Sequence, residues 1–274
     1  MSIFARARLA ALVLAAAGAA NASAGDGGDV PRQRENGAVA LQVARSLAES
    51  PVKSVKDDAD LKRIRQLVSP HIEGDALIIE GEIDSHIYDY LQYEAAKIVP
   101  VKVIELNSFG GNNDWALEIA RKIKALGKTT LLVSGHYCAS ACAYLFAAGR
   151  ERVASQDAWI GVHGARLGAG YLTTFQGLCF VDRESGGAFE PRKTGCQEFL
   201  AHWREVATAS TNAAFDLMEL NGVSPELRRT YFALPDDPEW PAHLNVVGKP
   251  DWRLTALEAQ KYNLVTEVLP RTSY

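Results

Sequence analysis

The chain has 274 residues, of which 47% are hydrophobic and 23% are charged, and its formal net charge is −4 at pH 7. A chain of this length can bury one sizeable core, so we expect one domain with additions. The acidic balance argues against a nucleic acid or an anionic lipid surface as partner, because both are bound through clustered Lys and Arg.

The first 24 residues are typical of a Sec-type signal peptide. Arg6 and Arg8 form a positive start, residues 9–20 are apolar and uncharged, and Ala22-Ser23-Ala24 has the small residues that signal peptidase requires. About a dozen apolar residues are too few to cross a bilayer, which needs roughly 20. We therefore predict a periplasmic or secreted protein without a membrane anchor after cleavage. Cleavage removes two arginines and no acid, which leaves 27 basic and 33 acidic side chains.

We expect residues 25–74 to form a disordered or helical lead-in to the domain. The composition of residues 25–38, rich in Gly, Asp and Arg, is typical of a disordered segment. The organised domain is expected over residues 75–274. Its first half alternates short apolar runs with stretches of helical spacing, which predicts parallel βαβ units. The predicted strands are 76–81, 101–106, 129–134, 153–154 and 159–162, and the predicted helices are 84–97, 115–126 and 139–148.

The second half has two segments that predict insertions near the site. Residues 164–195 lack periodicity, and residues 234–250 contain four prolines. The remaining patterns predict helices over 197–220 and from Ser224 onward, a strand that becomes a helix at Thr255, and a closing strand over 264–269.

Four cysteines suit an exported chain, since thiols pair in oxidising compartments. Bridging Cys179 and Cys196 would close a glycine-rich loop. Cys138 and Cys142 stand two residues either side of Ser140, either as a disulfide around it or as two small buried thiols. No second Cys or His pair stands at zinc-ligand spacing, so we predict no metal site and no cofactor.

Three segments carry residues suited to acyl transfer. Asn107-Ser108-Phe109-Gly110-Gly111 follows a predicted strand, and its glycines leave backbone N–H groups able to hold an oxyanion. Ser140 lies between small residues at a predicted helix start, as a nucleophile or simply as an N-cap. His163 follows a buried strand, and it is either a general base or a structural histidine.

In their order and spacing these segments resemble the Clp protease proteolytic subunits within the ClpP/crotonase-like fold. That family has an Asn-Ser-Pro-Gly-Gly turn, a serine about 30 residues later and a strand ending in His about 25 residues after the serine. Here Ser140 lies 29 positions after Gly111, and His163 lies 23 positions after Ser140. Residues 251–265 also match the family's tail, in which Asp-x-x-Leu-Thr-Ala-x-Glu-Ala precedes a Leu-Val segment.

The resemblance covers about residues 75–270 and implies an α/β fold of repeated ββα units with a parallel sheet and helical additions. It implies Ser140 as nucleophile, His163 as general base and Asp251 as the residue that orients the imidazole. The backbone N–H groups of Gly111 and Ala141 would line the oxyanion hole.

The chain departs from the family pattern at several positions. Phe109 replaces proline, Cys142 replaces a frequent glycine, and Asp251 lies 88 positions after His163, beyond the family's interval. Asp236, Asp237 and Glu239 are weaker acid candidates, and His136 is either a cleft residue or a turn residue.

The leading hypothesis is a serine peptidase that acts on peptide or protein substrates. Without ATP outside the cytoplasm we expect no ATP-driven unfoldase, and a self-standing peptidase or a small homo-oligomer fits better. The alternatives are a catalytically inactive crotonase-fold binding or scaffold protein, and a hydrolase of other esters or amides.

Overall fold

A mostly parallel sheet with helices packed against it forms the described part of this computed structural model, which comprises residues 69–166, 174–175, 177–179, 194–236 and 249–271. All of these residues belong to one unit of the chain, residues 38–274. The predicted signal peptide, the lead-in up to residue 68 and most of both predicted insertions lie outside the described residues.

The described strands and helices alternate along the chain much as the apolar pattern predicts. The strands are β1 His71–Glu73, β2 Ala76–Ile83, β3 Val103–Gly111, β4 Thr129–Leu132, β5 Tyr137–Ala139, β6 Arg152–Ser155, β7 Trp159–Val162, β8 Trp252–Thr255 and β9 Glu267–Leu269. The helices are α1 Ser85–Tyr93, α2 Ala95–Ile98, α3 Asn113–Leu126, α4 Ala141–Ala147, α5 Thr194–Leu220, α6 Pro225–Ala233 and α7 Ala256–Lys261.

Strand β3 is the point at which the sheet branches. Its first half pairs with β4, its end pairs with β5 through Ser108 and Cys138, and β2 lies along its other side. One branch continues from β4 through β6 to β9, and the other from β5 through β7 to β8. The units β4-β5-α4 and β6-β7-α5 therefore place their first strand in one branch and their second in the other.

Helix α3 shows how the local sequence sets these elements. The Asn112 side chain accepts a hydrogen bond from Trp115 N at 3.0 Å, and Gly127 ends the helix in the left-handed conformation at φ 62°. The buried residues of the helix recur at helical spacing and belong to the main apolar core. They are Ala116, Ile119, Ala120 and Ile123.

Several predicted boundaries are wrong. The expected turn over 107–112 continues as strand up to Gly111, because β2 and β5 pair with β3 on both sides. The predicted strand 129–134 ends at Leu132, and the strand Tyr137–Ala139 that follows it was not predicted. The helix expected from residue 139 begins at Ala141. Two pairs, β1 with β2 and β7 with β8, are antiparallel, which the βαβ pattern alone does not predict.

The main core lies between the helices and one face of the sheet. Helix α4 is buried along its whole length there, from Ala141 to Ala147. A smaller apolar cluster covers the opposite face around Ile78, Val103 and Leu131. Because α4 is surrounded by core, its first residue, Ala141, is held by packing, whereas Ser140 before it is only partly buried.

Candidate active site

Ser140 occupies the junction between β5 and α4 in an unusual backbone conformation. Its φ is 57° and its ψ is −129°, and among the described non-glycine residues only Asn263 shares a positive φ. L-residues rarely adopt this region, which costs on the order of 1–3 kcal/mol and is concentrated at functional sites. The sequence alone gives no indication of this conformation.

The Ser140 side chain does not cap the helix that it precedes. Asp84, Asn112, Ser224 and Thr255 are the N-caps of four other helices, and each has an extended backbone and a side chain that accepts a backbone N–H bond. Ser140 makes no such bond. The alternative of an ordinary N-cap therefore does not apply, and the hydroxyl is left for another partner.

Three connections hold the Ser140 backbone in place. A disulfide joins Cys138 to Cys142 across it, and both cysteines are fully buried. Ser140 N donates to Gly161 O at 2.8 Å, and Ala143 N donates to Ser140 O at 2.9 Å. The strained serine is thus tied to β5, β7 and the first turn of α4.

Glycines at the end of β3 allow that strand to approach the serine closely. A Cβ on Gly110 would lie 2.6 Å from Ser140 Cβ and 3.0 Å from Ala141 N. A Cβ on Gly111 would lie 2.2 Å from Ile83 O. Only glycine fits at either position. The fold therefore brings Gly110 beside Ser140 and Ala141, whereas Gly111 lies against Ile83 at the end of β2.

His163 follows β7 at the edge of the sheet where Ser140 follows β5. The parallel register pairs Ala139 with Gly161, so both side chains leave neighbouring strands at corresponding ends. Among the described residues, no hydrogen bond joins the Ser140 hydroxyl to the His163 ring.

The His163 ring is oriented by a backbone carbonyl. Its Nδ1 lies 2.7 Å from Gly164 O, and because a carbonyl only accepts, Nδ1 carries the proton and Nε2 is free to accept one. Burial lowers the pKa of the ring, which the bond to Gly164 and the Asp251 charge oppose, while the Arg166 charge lowers it further. A neutral ring with a free Nε2 is the form that a general base requires.

Asp251 lies across from His163, but its carboxylate has another partner. Strands β7 and β8 pair Val162 with Trp252, so the next position places Asp251 opposite His163. The carboxylate forms an ion pair with Arg166, and none with His163. The predicted His163–Asp251 contact is therefore not formed in this structure.

The weaker candidates occupy other places. His136 is largely buried beside Glu105, with Nδ1 3.6 Å from Oε1. Asp236 pairs with Lys249 at 2.8 Å on the surface. Asp237 and Glu239 lie outside the described residues.

Glu105 is a largely buried acid that the sequence pattern did not single out, although a glutamate inside an apolar strand run was a visible signal. Burial, with repulsion from Glu80 and Glu73, raises the pKa of Glu105 to about 7. Burial lowers the pKa of His136 to about 4. Between those values both groups are neutral, so their contact is not an ion pair there.

An aromatic row beside the glycine turn was also missed. Phe109, Tyr137 and Trp159 stack across β3, β5 and β7, with 3.8 Å between the first two ring centroids and 5.5 Å between the last two. Arg253 on β8 lies 4.2 Å over the Trp159 ring. Phe109 is 54% exposed, so the row is open to solvent at its β3 end.

The predicted Cys179–Cys196 disulfide is present, and the open alternative at Cys138 and Cys142 is resolved in favour of a disulfide. They fit a protein that folds in an oxidising compartment. The described residues contain no group of three or more His, Cys, Asp or Glu that could hold a metal ion. Nor do they include a helix with the length and apolar character to cross a membrane.

The architecture is mixed α/β with a mostly parallel sheet, consistent with the predicted ClpP/crotonase-like fold. No protein-family model matches the chain, and no curated protein matches it. Among solved structures it is similar to a point mutant of ClpP1 from Listeria monocytogenes, at 17% sequence identity and a TM-score of 0.46. That match covers 72% of this chain and 91% of that chain.

Proposed function

We propose that the chain is a serine-type hydrolase that cleaves peptide bonds through an acyl-enzyme. The observation that carries the proposal is Ser140 itself. Its backbone is strained, its hydroxyl does not cap α4, and Gly110 lies against its Cβ. A fold that holds a serine at this conformational cost without using its hydroxyl for capping has the character of a nucleophile site.

The proposed mechanism gives each of these groups a role. Ser140 Oγ attacks the substrate carbonyl while His163 Nε2 takes its proton. The N–H groups of Gly111 and Ala141 stabilise the oxyanion, a contribution of on the order of 10²–10³ in rate for each donor. His163 then protonates the leaving amine, and water releases the acyl group by the same steps. Asp251 would stabilise the imidazolium once its carboxylate reaches the ring.

Labelling with a fluorophosphonate probe tests this proposal. We expect wild-type protein to be labelled on Ser140 and Ser140→Ala to remain unlabelled. Ser224→Ala is a matched control, because Ser224 precedes a helix but has an extended backbone and a capping bond. If wild type stays unlabelled where a control serine hydrolase reacts, the catalytic proposal fails.

The alternative function is an inactive binding or scaffold protein. It is favoured by the missing Ser140–His163 hydrogen bond and by the pairing of Asp251 with Arg166. Unlabelled wild-type protein that retains its fold would support this alternative.

We also propose export to the periplasm or the medium by the Sec route, and a monomer or small homo-oligomer that works without an ATP-driven unfoldase. N-terminal sequencing of the expressed protein should find Gly25 as the first residue. Light scattering on that protein gives its oligomeric state.

A further inference from the structure

The backbone of β8 presents Asp251 to His163. The antiparallel ladder pairs Trp159 with Thr255 and ends with Val162 opposite Trp252. Residues directly opposite in such a ladder have Cβ atoms about 4.5–5.5 Å apart. Although the two residues are 88 positions apart in the chain, the register brings them to neighbouring positions.

The Asp251 carboxylate nevertheless contacts the guanidinium of Arg166, three residues beyond His163. The two side chains are 58% and 40% exposed, so the pair is accessible to water and to a ligand. An exposed ion pair contributes only about 0–1 kcal/mol, so it is easily exchanged for another partner.

His163 has a substitute partner while Asp251 is occupied. Its Nδ1 bonds to Gly164 O, and Gly164 N in turn donates to the Tyr231 hydroxyl at 2.5 Å. The ring is thereby kept in the tautomer that a carboxylate would also select, but without a negative charge to stabilise an imidazolium.

We propose that Arg166 is a positioning residue that competes with His163 for the Asp251 carboxylate. In the arrangement seen here Arg166 holds the carboxylate and the Gly164 carbonyl holds the ring. When Arg166 releases the carboxylate, Asp251 accepts the hydrogen bond that His163 Nδ1–H donates, and a triad is complete. The inference rests on the proposed function, in which His163 is the general base.

The competition can be measured on the histidine without any catalysis. The charged groups that act on the ring are Arg166 and Asp251, and the neighbouring titratable group from α6 is the Tyr231 phenol, which bonds to Gly164. Side-chain NMR titration of isotope-labelled histidine gives the pKa of His163 in the full chain, with His163→Gln assigning its signal. The variants are Arg166→Gln, Asp251→Asn and the double variant.

We expect Arg166→Gln to raise the pKa of His163, because a positive charge leaves and a carboxylate becomes free to approach. The decisive result is the coupling: Asp251→Asn should lower the pKa more in the Arg166→Gln background than in wild type. Effects that simply add would overturn the competition.

Arg253→Gln is the matched control, since it removes an arginine from β8 and leaves the Arg166–Asp251 pair intact. If Arg253→Gln raises the pKa of His163 as much as Arg166→Gln does, the shift is a general effect of removing a positive charge, and the proposed competition is wrong.

Fluorophosphonate labelling rates against pH supply the functional readout. The acid limb of the profile should move to higher pH in Arg166→Gln. An absence of labelling in every variant would refute the proposed function, whereas the NMR coupling would still decide the role of Arg166.

Discussion

Gly110 is the residue on which the proximity of β3 and Ser140 most directly depends. We predict that Gly110→Ala abolishes fluorophosphonate labelling, because the added Cβ would meet Ser140 Cβ at 2.6 Å and Ala139 O at 2.8 Å. Gly127→Ala is the control: its φ is also positive at 62°, but nothing lies within 4 Å. The control should cost about 1–2 kcal/mol in unfolding free energy and retain labelling. Equal labelling by both variants would contradict the steric argument.

Glu105 and His136 give opposite pH dependences of stability. The pKa of Glu105, raised to about 7, means that its contribution is lost as pH rises above the ordinary carboxyl range. The pKa of His136, lowered to about 4, means that stability is lost as pH falls below the ordinary imidazole range. In the overlap the two trends oppose each other.

Glu105→Gln should therefore stabilise the protein at pH 8, by on the order of 2 kcal/mol, because Gln stays neutral where Glu105 must ionise in a buried place. At pH 5, where Glu105 is already protonated, the variant should differ little from wild type. Denaturant unfolding at the two pH values measures both effects. A variant that is less stable at pH 8 would show that the carboxylate has a partner that compensates its burial.

At the scale of elements, we expect one disulfide to contribute mainly to stability and the other mainly to the site around Ser140. The Cys138–Cys142 bridge spans 4 positions and joins β5 to α4, and Cys179–Cys196 spans 17 and ends at the start of α5. Loop-closure entropy assigns about 2 kcal/mol to the short loop and about 3 kcal/mol to the longer one.

Replacing both cysteines of each pair by alanine separates stability from activity. We predict that Cys179→Ala/Cys196→Ala loses more unfolding free energy but keeps fluorophosphonate labelling. Cys138→Ala/Cys142→Ala should lose less stability and most labelling, because its bridge brackets the strained serine. Urea unfolding and labelling of the same samples give both numbers, and the reverse order of labelling would contradict a role for the short bridge at the site.

At the scale of the whole molecule, Arg152 connects distant parts of the chain. It is 4% exposed, and its guanidinium donates to the carbonyls of Gly149, Asn221, Asn263 and Leu264. Burial lowers the pKa of the group. One side chain at the start of β6 thereby joins the ends of α4, α5 and α7.

We predict that Arg152→Met destabilises the protein by about 3 kcal/mol, because several buried carbonyls lose charged donors at once. Arg150→Met is the matched control two positions earlier, where the arginine is exposed, and it should change stability by no more than about 0.5 kcal/mol. Thermal or urea unfolding compares the two variants. Equal losses would mean that the four carbonyls find other donors.

The sequence by itself determined the local features. Apolar runs and helical spacing predict most strands and helices, because burial and periodicity depend on neighbouring residues. The Ser140, His163 and Gly110-Gly111 segments were singled out by their order and spacing. The Cys179–Cys196 disulfide was predicted, whereas Cys138–Cys142 was left open between a disulfide and two thiols.

Only the tertiary structure decided which groups meet. The φ of Ser140 depends on β5, α4 and the approach of β3. Asp251 pairs with Arg166 rather than with His163 because of the side-chain conformations at the end of the β7–β8 ladder. These two strands lie about 90 positions apart in the chain. Glu105 and His136 become a buried pair only when β3 and the chain before β5 come together. Local sequence cannot specify such contacts, because their energies arise from register and burial between segments remote in the chain.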